Sequence, residues 1–307
     1  MLNDILEKSY PRRAFFITVA ALLGILVLIR YIILPELEPT VKTGLVIFLA
    51  NISDGIIVSM LVTIFIGVFL FFLTPEAVKK SRIEITEPRN LPELFEKAFP
   101  IAELWWYKGG CGRYFRTKTL PAMACWARRT SLSREVRVVI LDPLNTALCE
   151  AHATYRRSTA SAGLDEHTWD LNKVRHELYA TIVTVLITQS NEPRLRINLS
   201  LASHYSAFRI DLSSTSAIIT KEDRKAPAII CHPENYYYKS YKEEIILSES
   251  QSRHVPPLAH GSYDLNYLDK SSVEKILSDS KLIYQGMSEE DFDKIAITCR
   301  EKLNPYE

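Results

Sequence analysis

The residues of this chain best suited to chemistry lie between Leu104 and Arg134, 31 positions with no Asp or Glu and seven Lys or Arg. Aromatic side chains interleave with the bases: Trp105, Trp106 and Tyr107 precede Lys108, Tyr114 and Phe115 stand between Arg113 and Arg116, and Trp126 precedes Arg128 and Arg129. Gly109-Gly110-Cys111-Gly112 reads as a glycine-rich turn from strand to helix, where exposed N–H groups beside guanidinium groups would suit phosphate. Single-stranded nucleic acid also favours aromatic platforms beside cationic grooves. The turn matches neither the dinucleotide-binding nor the nucleoside-triphosphate loop pattern. The plainer alternative is a core strand followed by a basic helix that faces anionic headgroups. Lys108, Arg113, Arg116, Lys118, Arg128 and Arg129 are therefore the candidates for docking phosphate or a partner.

Two smaller groups compete with this stretch. His204 stands seven residues before Asp211, with Ser206 between them. Tyr236, Tyr237, Tyr238 and Tyr241 lie beside Lys239 and Lys242 and could form a stacking surface, although a helix that packs one tyrosine face on a sheet is the more ordinary arrangement. A Ser/His/Asp triad cannot be argued from spacing, because such residues assemble in space. Cys111, Cys125, Cys149, Cys231 and Cys299 are odd in number, widely spaced and without a C-x-x-C pair. That argues against a disulfide framework or a zinc site and fits a reducing compartment; no metal or cofactor is expected.

The elements that must position these residues divide the chain sharply. Residues 14–34 are 21 positions interrupted by one charge, Arg30, and residues 44–73 are 30 positions interrupted only by Asp54. A bilayer core takes about 20 apolar residues to cross, which excludes an ordinary soluble globule. The first run is about twice too long for a signal-peptide core, and no small-x-small cleavage site follows it. The reading is a transmembrane hairpin over residues 1–74, with spans near 14–34 and 55–74, Arg30 snorkelling to the headgroups and Asp54 at the outer interface. Lys8, Arg12 and Arg13 precede the first span and Lys79, Lys80 and Arg82 follow the second, against a single Lys42 in the loop. The positive-inside rule then puts both termini in the cytoplasm. Gly55, Ser59, Thr63 and Gly67 recur every four residues, matched by Ala20 and Gly24 in the first run. Small residues at this spacing let helices approach closely, either within the hairpin or between copies in a homo-oligomer.

Beyond a charged connector at 75–100, residues 101–307 read as an α/β domain. Residues 75–160 carry 15 Lys/Arg against 9 Asp/Glu, whereas 161–307 carry 17 against 22. Strands are predicted at 102–108, 136–141, 194–202, 207–213 and 228–231. Helices are predicted at 93–98, 120–127, 147–159, 170–188 and 237–248, followed by a polar, helical tail. Strand–helix–strand order indicates layered α/β structure.

His204-x-Ser206-x-x-x-x-Asp211 resembles a half-site of the phospholipase D superfamily, His-x-Lys-x-x-x-x-Asp, with serine in place of the lysine. The order around it is similar too: a strand ending in Leu141-Asp142-Pro143 upstream, then the motif, then Ser214-Thr215-Ser216-Ala217-Ile218-Ile219-Thr220. The resemblance covers about residues 90–245. It implies a phospholipase-D-like fold whose chemistry needs a nucleophilic histidine, a second histidine as acid/base and lysines for the phosphate. No other histidine here has Lys two residues on, so the resemblance implies a pseudoenzyme with no catalytic residues.

The overall plan resembles two-span membrane effectors of bacterial anti-phage systems, most nearly those encoded beside retron reverse transcriptases. It does so through the hairpin 14–74, Trp105-Trp106-Tyr107-Lys108-Gly109-Gly110, Val136 to Pro143, and His204 to Asp211. That resemblance implies an effector held back by the reverse transcriptase and its branched RNA–DNA, which permeabilises the inner membrane once phage interference frees it. The alternative is a membrane-bound phosphatidyl transferase resembling cardiolipin synthases, which would need a complete motif that this chain lacks.

Overall fold

The computed structural model describes residues 9–33, 36, 43–73, 83–164, 168–223, 225–259 and 263–301. The chain divides into two compact units, Met1–Lys79 and Lys80–Glu307. Lys8, Lys79, Lys80 and Arg82, on which the orientation rests, lie outside the described residues, as do Thr74 and most of the loop between the apolar runs.

In the first unit, α1 (Ser9–Leu28) continues into a π-helical turn, Ile29–Ile33, and α2 (Thr43–Leu73) is one unbroken helix. Among the described residues one helix is long and apolar enough to cross a membrane, the 23-residue stretch Ile47–Phe69. The apolar stretch Ile17–Ile33 is shorter, so the expected pair of spans is met by one helix of sufficient length. The spanning stretch also begins earlier than the expected residue 55, which places Asp54 inside it. The reason is a partner: Arg30 Nε donates to Asp54 Oδ1 at 2.9 Å and Arg30 Nη2 to Oδ2 at 3.2 Å. A two-point guanidinium–carboxylate contact satisfies both charges together. Arg30 and Asp54 thus meet each other across the hairpin, with the Asp54 side chain still 46% exposed.

The same pair fixes which side of α2 faces α1. Ala50 and Ser53 are buried, while Asp54, Ile57, Met60 and Ile64 are half-buried, at helical spacing. Gly55 starts about 100° from Asp54 and each four-residue step advances about 40°. Accordingly Gly55, Ser59 and Thr63 are exposed and only Gly67 is buried; Ala20 and Gly24 are exposed as well. Packing of the hairpin on itself does not use this strip, apart from Gly67.

The second unit is built on one eight-stranded mixed sheet in the order β1-β7-β6-β5-β2-β3-β4-β8. The strands are β1 (Glu84–Thr86), β2 (Leu104–Lys108), β3 (Arg134–Leu141), β4 (Leu195–Ala202), β5 (Phe208–Ser213), β6 (Ala217–Lys221), β7 (Ala228–Cys231) and β8 (Arg253–Val255). β2, β3 and β4 run parallel, and the remaining neighbours are antiparallel. The supposed connector is part of this unit: β1 pairs with β7, and Leu91 and Phe95 of α3 (Leu91–Ala98) enter the core. The helix predicted at 93–98 is present and starts two residues earlier, whereas the edge strand β1 was not predicted.

Because β2 lies inside the sheet with both faces covered, its side chains divide between two cores. Trp105 and Tyr107 join the large core with α3, α4 (Leu120–Thr130), α5 (Thr146–Ser158) and α6 (Leu171–Asn191). Trp106 joins a smaller core with Ile210, Leu212 and Ile245 of α7 (Tyr236–Ser250). α6 is buried from Val174 to Thr188, enclosed on its outer side by α9 (Glu289–Arg300) and α8 (Lys270–Asp279). Its helical pattern is consequently less amphipathic than that of a surface helix. In α7, Tyr238 and Tyr241 pack on the small core while Tyr236 and Tyr237 stay exposed. All five cysteines are free thiols.

Candidate functional site

The structure separates the site residues that the sequence predicts. His204 sits in the turn between β4 and β5, half-buried, with Nε2 3.5 Å from the Ser248 hydroxyl of α7. Asp211 lies on β5 in register with Tyr107, is 2% exposed and accepts a hydrogen bond from Trp105 Nε1 at 3.2 Å. Trp105 belongs to the large core and α7 to the small one, so the two motif residues occupy opposite faces of the sheet. Burial raises the Asp211 carboxyl, against the pull of Arg209 and the Trp105 N–H. The Ser206 hydroxyl accepts from the Phe208 N–H at 3.2 Å, closing the turn. His204→Ala is therefore expected to cost little stability, within about 0.5–1 kcal/mol. Urea unfolding of the variant checks this, and a loss above about 2 kcal/mol would show that His204 anchors the α7 face.

The basic stretch is largely neutralised by carboxylates from distant parts of the chain. Lys108 is buried and paired with Glu244 of α7. Arg116 is buried and donates to Glu177 Oε2 at 2.8 Å, to the Glu177 carbonyl at 3.0 Å and to the Thr181 hydroxyl at 3.1 Å. Arg113 lies 3.3 Å from the same carboxylate, and Lys173 3.1 Å. Burial by itself would raise the Glu177 carboxyl, but Arg116, Arg113 and Lys173 outweigh it and hold it at about 2. Arg128 is exposed and pairs with Glu192; Arg129 is exposed over the Trp126 ring; Lys118 is half-buried. A window without local acids is no guide to its partners in space. The six cations do not form one docking surface.

The glycine-rich turn holds an anion, but the anion is internal. Gly109 N–H donates to the Val139 carbonyl at 3.0 Å, and Gly110 N–H donates to Glu222 Oε1 at 3.0 Å. Glu222 Oε2 stands 3.3 Å from His152 Nε2 and 3.4 Å from Arg156 Nη1. A Cβ on Gly110 would overlap both the Glu222 carboxylate and the His152 ring, and Gly112 takes φ +72°, which a side chain would strain. Gly110→Ala is expected to destabilise the domain by about 1–3 kcal/mol, the usual cost of overpacking. Chemical denaturation measures it, and an unchanged midpoint would mean that Glu222 swings away freely.

Around Glu222 the side chains form a cluster that the sequence did not reveal. His152 of α5 is fully buried, and its Nε2 also lies 3.5 Å from Cys111 Sγ. A thiol and an imidazole at that separation suggest a nucleophilic pair. The electrostatics do not: burial, with Glu222 nearby, pushes the Cys111 thiol well up, and burial pushes His152 down despite Glu222. A thiol that burial keeps protonated is a poor nucleophile. Burial opposes ionisation of Glu222, yet His152, Arg156 and Arg209 keep its carboxyl below the usual range. The cluster is therefore suited to holding charge in place. Its members come from the β2 turn, α5, the start of β5 and the end of β6; the one sequence signal was the Gly109-Gly110 pair itself, which demands close approach.

These residues adjoin a small, solvent-open pocket of about 70 Å³ lined by Arg113, Arg156, Trp169, Arg209, Thr220 and Glu222, among others. It lies beyond the carboxyl end of β2, in the position where open α/β sheets bind ligands. Arg156 lies over the Trp169 ring at 4.4 Å from its centre and Arg113 at 5.8 Å. Among the described residues no group of three His, Cys, Asp or Glu side chains could hold a metal ion.

No protein-family model matches the sequence, and no curated protein matches it. Among solved structures, the chain is similar to Nuc, a phospholipase D family member from Salmonella typhimurium, at 13% identity over 56% of this chain and 97% of that one, with a TM-score of 0.33. It is also similar to TrmBL2, an archaeal chromatin protein, at 8% identity over 70% and 71% of the two chains, with a TM-score of 0.32. The mixed α/β architecture rests on the chain's own eight-stranded sheet; both similarities are too low to carry a residue's role across.

Proposed function

We propose that this chain is a non-enzymatic membrane effector whose hairpin damages the membrane and whose α/β unit controls it. The observation that carries this reading is the apolar helix Ile47–Phe69, most of whose side chains are exposed. Such a surface is suited to lipid or to another copy of itself. The exposed Gly55, Ser59 and Thr63 supply a close-packing side for a homo-oligomer. The Lys/Arg asymmetry of the sequence supports a multi-pass chain with both termini cytoplasmic. The finer reading, an antiviral retron effector restrained by a reverse transcriptase with its RNA–DNA, rests on the sequence resemblance. A phosphatidyl transferase is disfavoured by the opposed placement of His204 and Asp211.

The test is production of the full chain alone in bacterial cells, with membrane potential recorded beside membrane-fraction abundance. Depolarisation is expected with the chain alone and suppression when the reverse transcriptase and its RNA are co-produced. Gly67→Leu should reach the membrane yet depolarise less, since a branched side chain would wedge a buried contact. A normal potential at high membrane abundance, or turnover of phospholipid headgroups by the purified chain, would overturn the reading.

A further inference from the structure

The pocket beyond β2 has a surplus of cationic groups and an unmet hydrogen bond. Thr220 is 4% exposed, lines the pocket, and its hydroxyl has no hydrogen-bond partner among the described residues. It stands directly across from Arg209 in the β5–β6 register, so both project from the same face of the sheet. Leaving a buried hydroxyl unpaired is costly, and a ligand oxygen would relieve it.

The charges point the same way. The two acids on the pocket wall are already engaged: Glu222 by the Gly110 N–H, His152 and Arg156, and Asp223 by the N–H groups of Ala160 at 3.2 Å and Lys225 at 3.0 Å. Arg209 Nε lies 3.3 Å from Asp211 Oδ2. Arg113 shares its carboxylate, because Glu177 serves Arg113, Arg116 and Lys173 together. A cationic ligand would meet three guanidinium groups, and an apolar one would strand the Thr220 hydroxyl. An anion with several acceptor oxygens satisfies both demands, and guanidinium groups suit phosphate geometry.

We propose that this pocket binds a phosphoryl group carried by a small molecule, with Arg113, Arg209 and the Thr220 hydroxyl around the phosphoryl oxygens. The site is separate from the His204–Asp211 motif and does not depend on whether the hairpin damages membranes. The phosphoryl group has two possible sources, a soluble phosphomonoester or the headgroup of phosphatidic acid.

The experiment uses the full chain in phosphatidylcholine nanodiscs, with inorganic phosphate as the probe and acetate and chloride at equal ionic strength as controls. Phosphate alone should raise the unfolding temperature, by ligand linkage. Thr220→Val removes a hydroxyl with no hydrogen-bond partner among the described residues, so the unliganded variant should be as stable as the parent or more so, yet bind phosphate about tenfold more weakly. Arg113→Gln leaves Glu177 paired with Arg116 and Lys173 and should weaken binding similarly. If nanodiscs containing phosphatidic acid reproduce the stabilisation and compete with phosphate, the source is lipid; if they do not, it is soluble. Equal stabilisation by phosphate and acetate, or unchanged phosphate binding in both variants, would overturn the proposal.

Discussion

Glu177→Gln should be the most damaging single substitution in the α/β unit, lowering its stability by about 3–5 kcal/mol, the range for breaking a buried ion pair. Glu177 is 1% exposed in its side chain and is met by Arg116 at 3% exposure, with Arg113 and Lys173 beside them. Removing the carboxylate charge leaves the Arg116 guanidinium buried against α6, with hydrogen bonds to the Glu177 carbonyl and the Thr181 hydroxyl but no full negative charge from Glu177. For a domain of this size about 2–4 °C is lost per kcal/mol, so calorimetry would read the change easily. The pH dependence follows from the sign of the shift. The folded carboxyl titrates near 2, below its ordinary 4.5. Its contribution is therefore complete above pH 4.5 and is lost as pH falls through about 2. Wild-type stability should decline over that window, and the Gln variant should show a shallower decline from a lower plateau. Replacing Glu177 and Arg116 together by apolar residues should recover part of the loss. A Gln variant within about 1 kcal/mol of wild type would show that water reaches Arg116.

The second large effect concerns Arg30 and Asp54. Asp54 lies seven residues into the spanning stretch, about 10 Å along the helix at 1.5 Å per residue. Each charge is costly at such depth, about 2.5–3.5 kcal/mol by insertion measurements at the helix centre. Asp54→Leu should strand Arg30 and Arg30→Leu should strand Asp54, so either alone should sharply reduce hairpin insertion. The double substitution removes both charges and should restore insertion to the wild-type level or above. Glycosylation mapping or carbonate extraction gives the membrane-inserted fraction. Single variants that insert as well as wild type would mean that the pair does not exist in the membrane.

What the sequence determined by itself is what local chemistry decides. The apolar runs, the strand at Leu104–Lys108, the stop at Asp142-Pro143 and most helix positions follow from periodicity, turn residues and caps. Nothing in them requires knowledge of a distant residue. The short edge strands β1 and β8 were not legible, because three residues have no period and gain strand geometry only from β7 and β4. The candidate site was least legible of all. Lys108, Arg113 and Arg116 look like an open basic surface until Glu244 and Glu177, from helices 61 or more residues away, arrive to cover them. His204 and Asp211 look like a motif until the pleat and the β4–β5 turn send them to opposite faces. Glycine at 110 announces a close neighbour but cannot name it; Glu222 and His152 were supplied by the fold. Charge pairing and burial are properties of three-dimensional neighbours, and for this chain they decided which cations are structural, which thiol is inert, and where a pocket with an unpaired hydroxyl remains.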